Sequence, residues 1–168
     1  MTIGEALIGD FRNEAEMTRR VLASVPEDRL DWQPHEKSMS LGQLVGHVAE
    51  TPGWVHAMLA DELDFDAGGS DYQPFVAEDR AGLLEAHDAN AAGFEAALEG
   101  RDDDFFRATW TMRRGDTVLM SMVRGWAIRS TCIHHLVHHR GQLTVYLRML
   151  GVPVPQTYGP TADFPDFG

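Results

Sequence analysis

Four histidines fall within six residues, His134, His135, His138 and His139, in the run HHLVHHRGQ. Neutral imidazole is a common ligand of divalent transition metals. Residues four apart on a helix lie about 40° apart, so an HxxxH pair can aim two ring nitrogens at one ion. The run holds two such pairs, His134 with His138 and His135 with His139. Helical phase separates them. With His135 as the reference direction, Ile128, Cys132, His139, Leu143, Tyr146 and Leu150 fall within about 80° of it, a face that belongs against a core. His134 lies with Ser130, Gly141 and Arg148 on a more polar side, and His138 is intermediate. His135 and His139 are therefore the preferred claw, with His138 placed to bond to a group beside the ion.

A durable site needs a third ligand, which must come from another helix. The remaining histidines are His35, His47, His56 and His87. His47 and His87 sit on apolar stripes, whereas His56 is off the stripe and His35 falls in a connection, so the residues leave His47 and His87 as equal candidates. A hydrogen-bonded core histidine explains either one as well. Near the claw, Gln142 and Tyr146 are candidates for orienting a substrate or water, and Arg140 for anchoring an anionic group of a substrate or a partner helix. Packing, bonding behind the ligands and a surface salt bridge are the respective structural alternatives. Cys132, one turn before His135, reads as a buried structural thiol.

These side chains must be carried by helices. Leu7, Phe11, Ala15, Thr18, Leu22 and Val25 recur at spacings of three and four, behind a Thr2/Glu5 capping box, and predict a helix over 3–24 that stops at Pro26. Ser40 and Gln43 form a second capping box ahead of Leu44, His47, Thr51, Trp54 and Met58, predicting a helix over 41–61. Pro52 cannot donate to the Val48 carbonyl, which predicts a kink one turn after His47. Residues 62–77, with two adjacent glycines and Pro74, read as a long loop. Leu84, His87, Ala91, Phe94 and Leu98 predict a helix over 78–99 capped by Gly100. Between 107 and 120, β-favouring residues flank an Arg-Gly-Asp turn and predict a short hairpin. The last and longest helix is predicted over 122–150, closed by Gly151 and Pro153, and the proline-rich tail from 152 on is not helical. This is the pattern of an all-α four-helix bundle with a short hairpin before its last helix, a scaffold whose core commonly houses metal sites.

The chain of 168 residues is 43% hydrophobic, enough for one domain over 1–168 with a core that needs no disulfide. Its single cysteine suits a reducing compartment, with the cytoplasm as the default. The acid-broken N-terminus does not resemble a signal peptide, and no apolar run approaches the length of a membrane span. The net charge of −12 resides in residues 61–106, which carry 14 acidic and 2 basic residues. Such a balance repels phosphate backbones and argues against nucleic-acid binding, a small basic group at Arg107, Arg113 and Arg114 notwithstanding.

The segment HHLVHHRGQLTVYLRMLGVPVPQTYGPTAD resembles the C-terminal signature of the DinB family, the DinB/YfiT-like metalloenzymes, and EKSMSLGQLVGHVAETPGW resembles that family's second-helix region. With the helix spacing included, the resemblance covers essentially the whole chain. It implies a four-helix bundle, usually a homodimer, that holds a divalent transition metal such as zinc, nickel or iron through one histidine of helix two and an HxxxH pair of the last helix. Carried over, the metal ligands are His47, His135 and His139. Many relatives have asparagine where this chain has His134, a departure that keeps His134 with His138 in view as the other pair. Three imidazoles leave a coordination position open for water or a thiolate. The family includes enzymes that use low-molecular-weight bacterial thiols, so the resemblance implies an enzyme acting on a small molecule by thiol S-transfer or by metal-assisted hydrolysis. A metal-binding stress-response protein without turnover is the competing expectation.

Overall fold

In the computed structural model, described for residues 1–66 and 73–166, helices dominate and a three-stranded sheet sits beside them. Helix α1 spans Ile3–Leu22 and opens with the expected capping box: the Thr2 hydroxyl accepts from the Glu5 amide at 3.1 Å, and the Glu5 carboxylate accepts from the Thr2 amide at 2.8 Å. Helix α2 spans Leu41–Glu50 with the same reciprocal cap from Ser40 and Gln43. The single kinked helix expected over 41–61 is instead two kinds of helix. From Thr51 to Met58 the chain tightens into a 3-10 segment, because Pro52 has no amide to continue the α-helical ladder. The Thr51 hydroxyl donates to the His47 carbonyl at 2.6 Å at this junction.

Strand β1, Glu62–Asp64, corrects the expectation of a loop from 62 to 77, whose residues 67–72 with the two glycines lie outside the described residues. It pairs in parallel with strand β2, Thr109–Arg114, and β2 pairs antiparallel with strand β3, Thr117–Val123, around Gly115. The expected hairpin is thus present, and β1 adds a third strand to it beside a mostly helical chain. Arg113 supplies the link the pattern of apolar residues could not show: its guanidinium donates to Asp64 at 2.6 Å and to Glu62 at 3.0 Å. Trp110 is buried and donates its indole N–H to the Ala57 carbonyl at 3.2 Å, which fastens the sheet to the 3-10 segment.

Helix α3 spans Arg80–Leu98, with the Asp79 carboxylate accepting from the Gly82 amide as its N-terminal cap. A short helix α4 covers Asp103–Arg107. The final helical stretch, expected as one helix over 122–150, runs from Arg124 to Met149 in three parts: α5 over Arg124–Ile128, a π-helical turn over Arg129–His134, and α6 over His135–Met149. Gly100 and Gly151 both adopt positive φ, 71° and 72°, the left-handed conformation that ends helices at glycine. Helix α1 packs on α3 and α6, and α2 packs on the same two helices. Phe11 stacks on Phe94 with ring centroids 3.9 Å apart, and Leu44, Val48, Leu136, Leu143 and Leu147 are buried, each contributing about 1.5–3 kcal/mol. No helix of the described residues is long and apolar enough to cross a membrane.

Candidate metal centre

His47 lies on α2, two turns into the helix that Ser40 starts, and His135 and His139 occupy the first two turns of α6. Packing of α2 against α6 brings the three rings together. The Nε2 atoms of His47 and His135 are 2.9 Å apart, and those of His139 and His135 are 3.0 Å apart. Among the described residues this is the group of three metal-ligating side chains whose donor atoms all lie within 4.8 Å of one another. His139 is nearly buried, while His47 and His135 keep partial access to solvent.

The far sides of the rings decide which nitrogens are available. Gln142 Oε1 is 2.7 Å from His139 Nδ1, and an amide oxygen only accepts, so that nitrogen carries the proton and Nε2 presents its lone pair. Glu50 Oε1 faces His47 Nδ1 at 3.4 Å, a carboxylate contact that favours the same tautomer. His135 Nε2 stands between the Nε2 atoms of the other two rings, an arrangement that a shared proton or a cation satisfies. Burial, then the neighbouring His139, His47 and His138, pushes His135 down to about 4, and burial also holds His139 below the ordinary histidine range. His135 and His139 are thus neutral near pH 7, the form that ligates metals. Donors about 2.1 Å from a shared ion at about 90° stand about 3.0 Å apart, so the observed spacing fits one.

The other candidates are distributed around this point. His87 is buried in α3 with Nε2 at 3.1 Å from the Ala15 carbonyl, away from the cluster. His134 is exposed and its ring meets Trp126, and His138 packs edge-on against His139 at 4.9 Å. Tyr146 donates its hydroxyl to the Met39 carbonyl at 3.1 Å and packs against Trp32. Arg140 is buried on the side of α6 facing α1, where it pairs with Glu14 at 2.7 Å and donates to the Glu14 carbonyl and to the Thr18 hydroxyl. Cys132 is buried, and burial pushes its thiol up to about 12, far from a reactive thiolate. Two residues were not read as part of the site: Glu50, and Trp54, whose ring lies 5.1 Å from His47 and 5.3 Å from His135. The spacing of three between His47 and Glu50 was the signal for the first.

Known proteins share this arrangement of helices. A crystal structure of a DinB-like protein from Bacillus cereus ATCC 10987 superposes with a TM-score of 0.69 at 22% identity, over 92% of this chain and 97% of that one. The DinB-like protein YjoA from Bacillus subtilis gives 0.66 at 18% identity, over 96% and 99% of the two chains. A mycothiol-dependent maleylpyruvate isomerase gives 0.52 at 12% identity, over 92% of this chain and 67% of that one. In sequence, the uncharacterized protein YrdA of Bacillus subtilis strain 168 is 25% identical over 150 residues, 89% of this chain and 84% of that protein. The model of the DinB family matches residues 4–166, and on that extent the chain belongs to the DinB family.

Proposed function

We propose that the protein is a metal-dependent enzyme acting on a small molecule, with His47, His135 and His139 holding one divalent transition ion, zinc, nickel or iron, and an open position left for a reactant. The observation that carries this reading is the convergence of three Nε2 atoms whose rings are oriented from behind by Gln142 and Glu50. An ion held there acts as a Lewis acid that favours the deprotonated form of a thiol or of water. The protein's own part is positional: Gln142 fixes the ring of His139, and the Trp54 ring gives the reactant an apolar wall beside His47 and His135. Arg140 and Tyr146, engaged with Glu14 and Met39, serve to brace α6 in this reading.

Transfer of a low-molecular-weight thiol is the chemistry favoured, because a solved structure with the same fold is a mycothiol-dependent isomerase. Metal-assisted hydrolysis is its competitor. The reading takes residues 1–168 as one domain, a four-helix bundle with the sheet appended, acting as a homodimer in the cytoplasm. A cobalt-loaded, tag-free preparation titrated with cysteine-derived thiols tests it. Thiol entering the open position is expected to produce a saturable near-ultraviolet charge-transfer band that the His139→Ala variant lacks. No band together with thiol-independent ester hydrolysis would favour the hydrolytic form, and neither band nor turnover would leave a metal-binding protein without catalysis.

A further inference from the structure

Glu50 is nearly buried, at the C-terminal end of α2, and its two carboxylate oxygens face different elements. Oε1 faces Nδ1 of His47 at 3.4 Å, and Oε2 accepts the backbone N–H of Phe75 at 3.0 Å. Phe75 belongs to segment 73–77, which has no regular secondary structure and lies against α2 here. A Cβ built on Gly46 would stand 2.1 Å from the Phe75 carbonyl oxygen, so the segment lies against the helix at the residue preceding His47, where no side chain fits. One carboxylate thus touches a ring of the three-histidine group and the segment packed over its helix.

We infer that Glu50 is a positioning residue that couples cation binding at the three histidines to docking of segment 73–77 on α2. The inference rests on the metal-site reading above. Three neutral imidazoles bring no charge to offset a divalent ion, and Glu50 supplies one negative charge behind His47 without joining the group of ligating atoms. Both of its roles require an acceptor: one oxygen for the His47 Nδ1–H, one for the Phe75 N–H. Only a carboxylate offers two acceptors, and an amide offers one. Coupling is reciprocal, so a cation that holds His47 in this tautomer strengthens the carboxylate clasp and hence the segment, and a docked segment holds the carboxylate ready for the cation.

Zinc alone is the probe. Its dissociation constant is measured by competition with a chromophoric chelator, and hydrogen exchange of residues 73–77 is followed with and without zinc, on the full chain. Wild type is expected to bind zinc and to slow exchange at Phe75 on binding. Glu50→Ala should weaken zinc binding about 10–100-fold and abolish the zinc-dependent protection. Glu50→Gln, equal in shape with one acceptor, should lose at least one of the two effects. Gly46→Ala leaves every ligand and Glu50 in place but displaces the segment. It should raise exchange at Phe75 and weaken zinc severalfold in the same direction, and it serves if the Glu50 variants prove unfolded by circular dichroism. Wild type that fails to bind zinc would overturn the metal-site reading itself. Zinc binding in wild type, with affinity and Phe75 protection unchanged in Glu50→Gln or in Gly46→Ala, would overturn the coupling alone.

Discussion

Gln142 sits on the exposed side of α6, three residues beyond His139, and its side-chain oxygen meets the Nδ1 of that ring. A residue so placed contributes little to the core, so its effect should be confined to the imidazole it orients. Gln142→Ala is expected to weaken zinc binding about 10–100-fold while leaving thermal unfolding of the metal-free protein within roughly 0.5 kcal/mol of wild type. Gln142→Glu retains an acceptor and should retain the affinity. Equal zinc affinity in wild type and Gln142→Ala, measured by chelator competition, would remove this residue from the site. At this scale a four-residue spacing on the apolar side of the last helix singled out His135 and His139, whose Nε2 atoms lie 3.0 Å apart. Helical phase centred that face slightly wrongly. The deeply buried side chains of α6 are Leu136, Arg140, Leu143 and Leu147, with the two histidines on the flank that turns toward α2. Arg140 was read as an anchor for an anionic group of a substrate or a partner helix, or as a surface salt bridge; the anion it meets is Glu14 of α1, 126 residues away and beyond any local pattern.

The elements were legible where their signals are local. Both capping boxes, the glycine C-caps and the hairpin turn depend on residues within one turn of each other, and each is found in place. Features that depend on distant partners were not: β1 pairs in parallel with β2, some fifty residues on, where Arg113 meets Glu62 and Asp64. Nor does apolar periodicity reveal the π turn over Arg129–His134. There the His135 amide bonds to the Ser130 carbonyl five residues back, so one extra residue rotates α6 by about 100° relative to α5. The choice between His47 and His87 was open to sequence patterning because both stripes are apolar. Packing separates them, His47 toward α6 and His87 toward the Ala15 carbonyl of α1.

That placement of His87 makes a prediction about how α3 is held against α1. Its Nε2 donates to Ala15, its Nδ1 is buried without a partner among the described residues, and burial keeps it below the ordinary histidine value. The folded chain therefore takes up this proton at lower pH than the unfolded chain. The stability His87 allows is full above the unfolded value near about 6.5 and is lost as the pH falls from there through the folded value. His87→Gln keeps a donor for Ala15 and removes the titration. Denaturant unfolding of metal-free protein should show a shallower loss of stability between about pH 7 and about pH 5 in this variant than in wild type. Parallel pH profiles would show that His87 is not a source of the acid sensitivity.

Across the whole molecule, the acidic stretch from 61 to 106 is in part answered by cations elsewhere in the chain: Arg12 pairs with Glu95, Arg19 with Asp88, and Arg113 with Glu62 and Asp64. Exposed pairs of this kind are each worth about 0–1 kcal/mol, so they arrange charge more than they stabilise the fold. The hydrophobic contacts of α1, α2, α3 and α6 hold the molecule together, and the same packing of α2 on α6 creates the three-histidine group. That group is proposed to hold one metal ion. Elemental analysis of tag-free protein tests it most directly, comparing wild type with His139→Ala after both are shown to be folded. One divalent transition ion per chain in wild type and none in the variant is the expected result. A wild-type chain without metal, or a variant that retains a full equivalent, would contradict the claim.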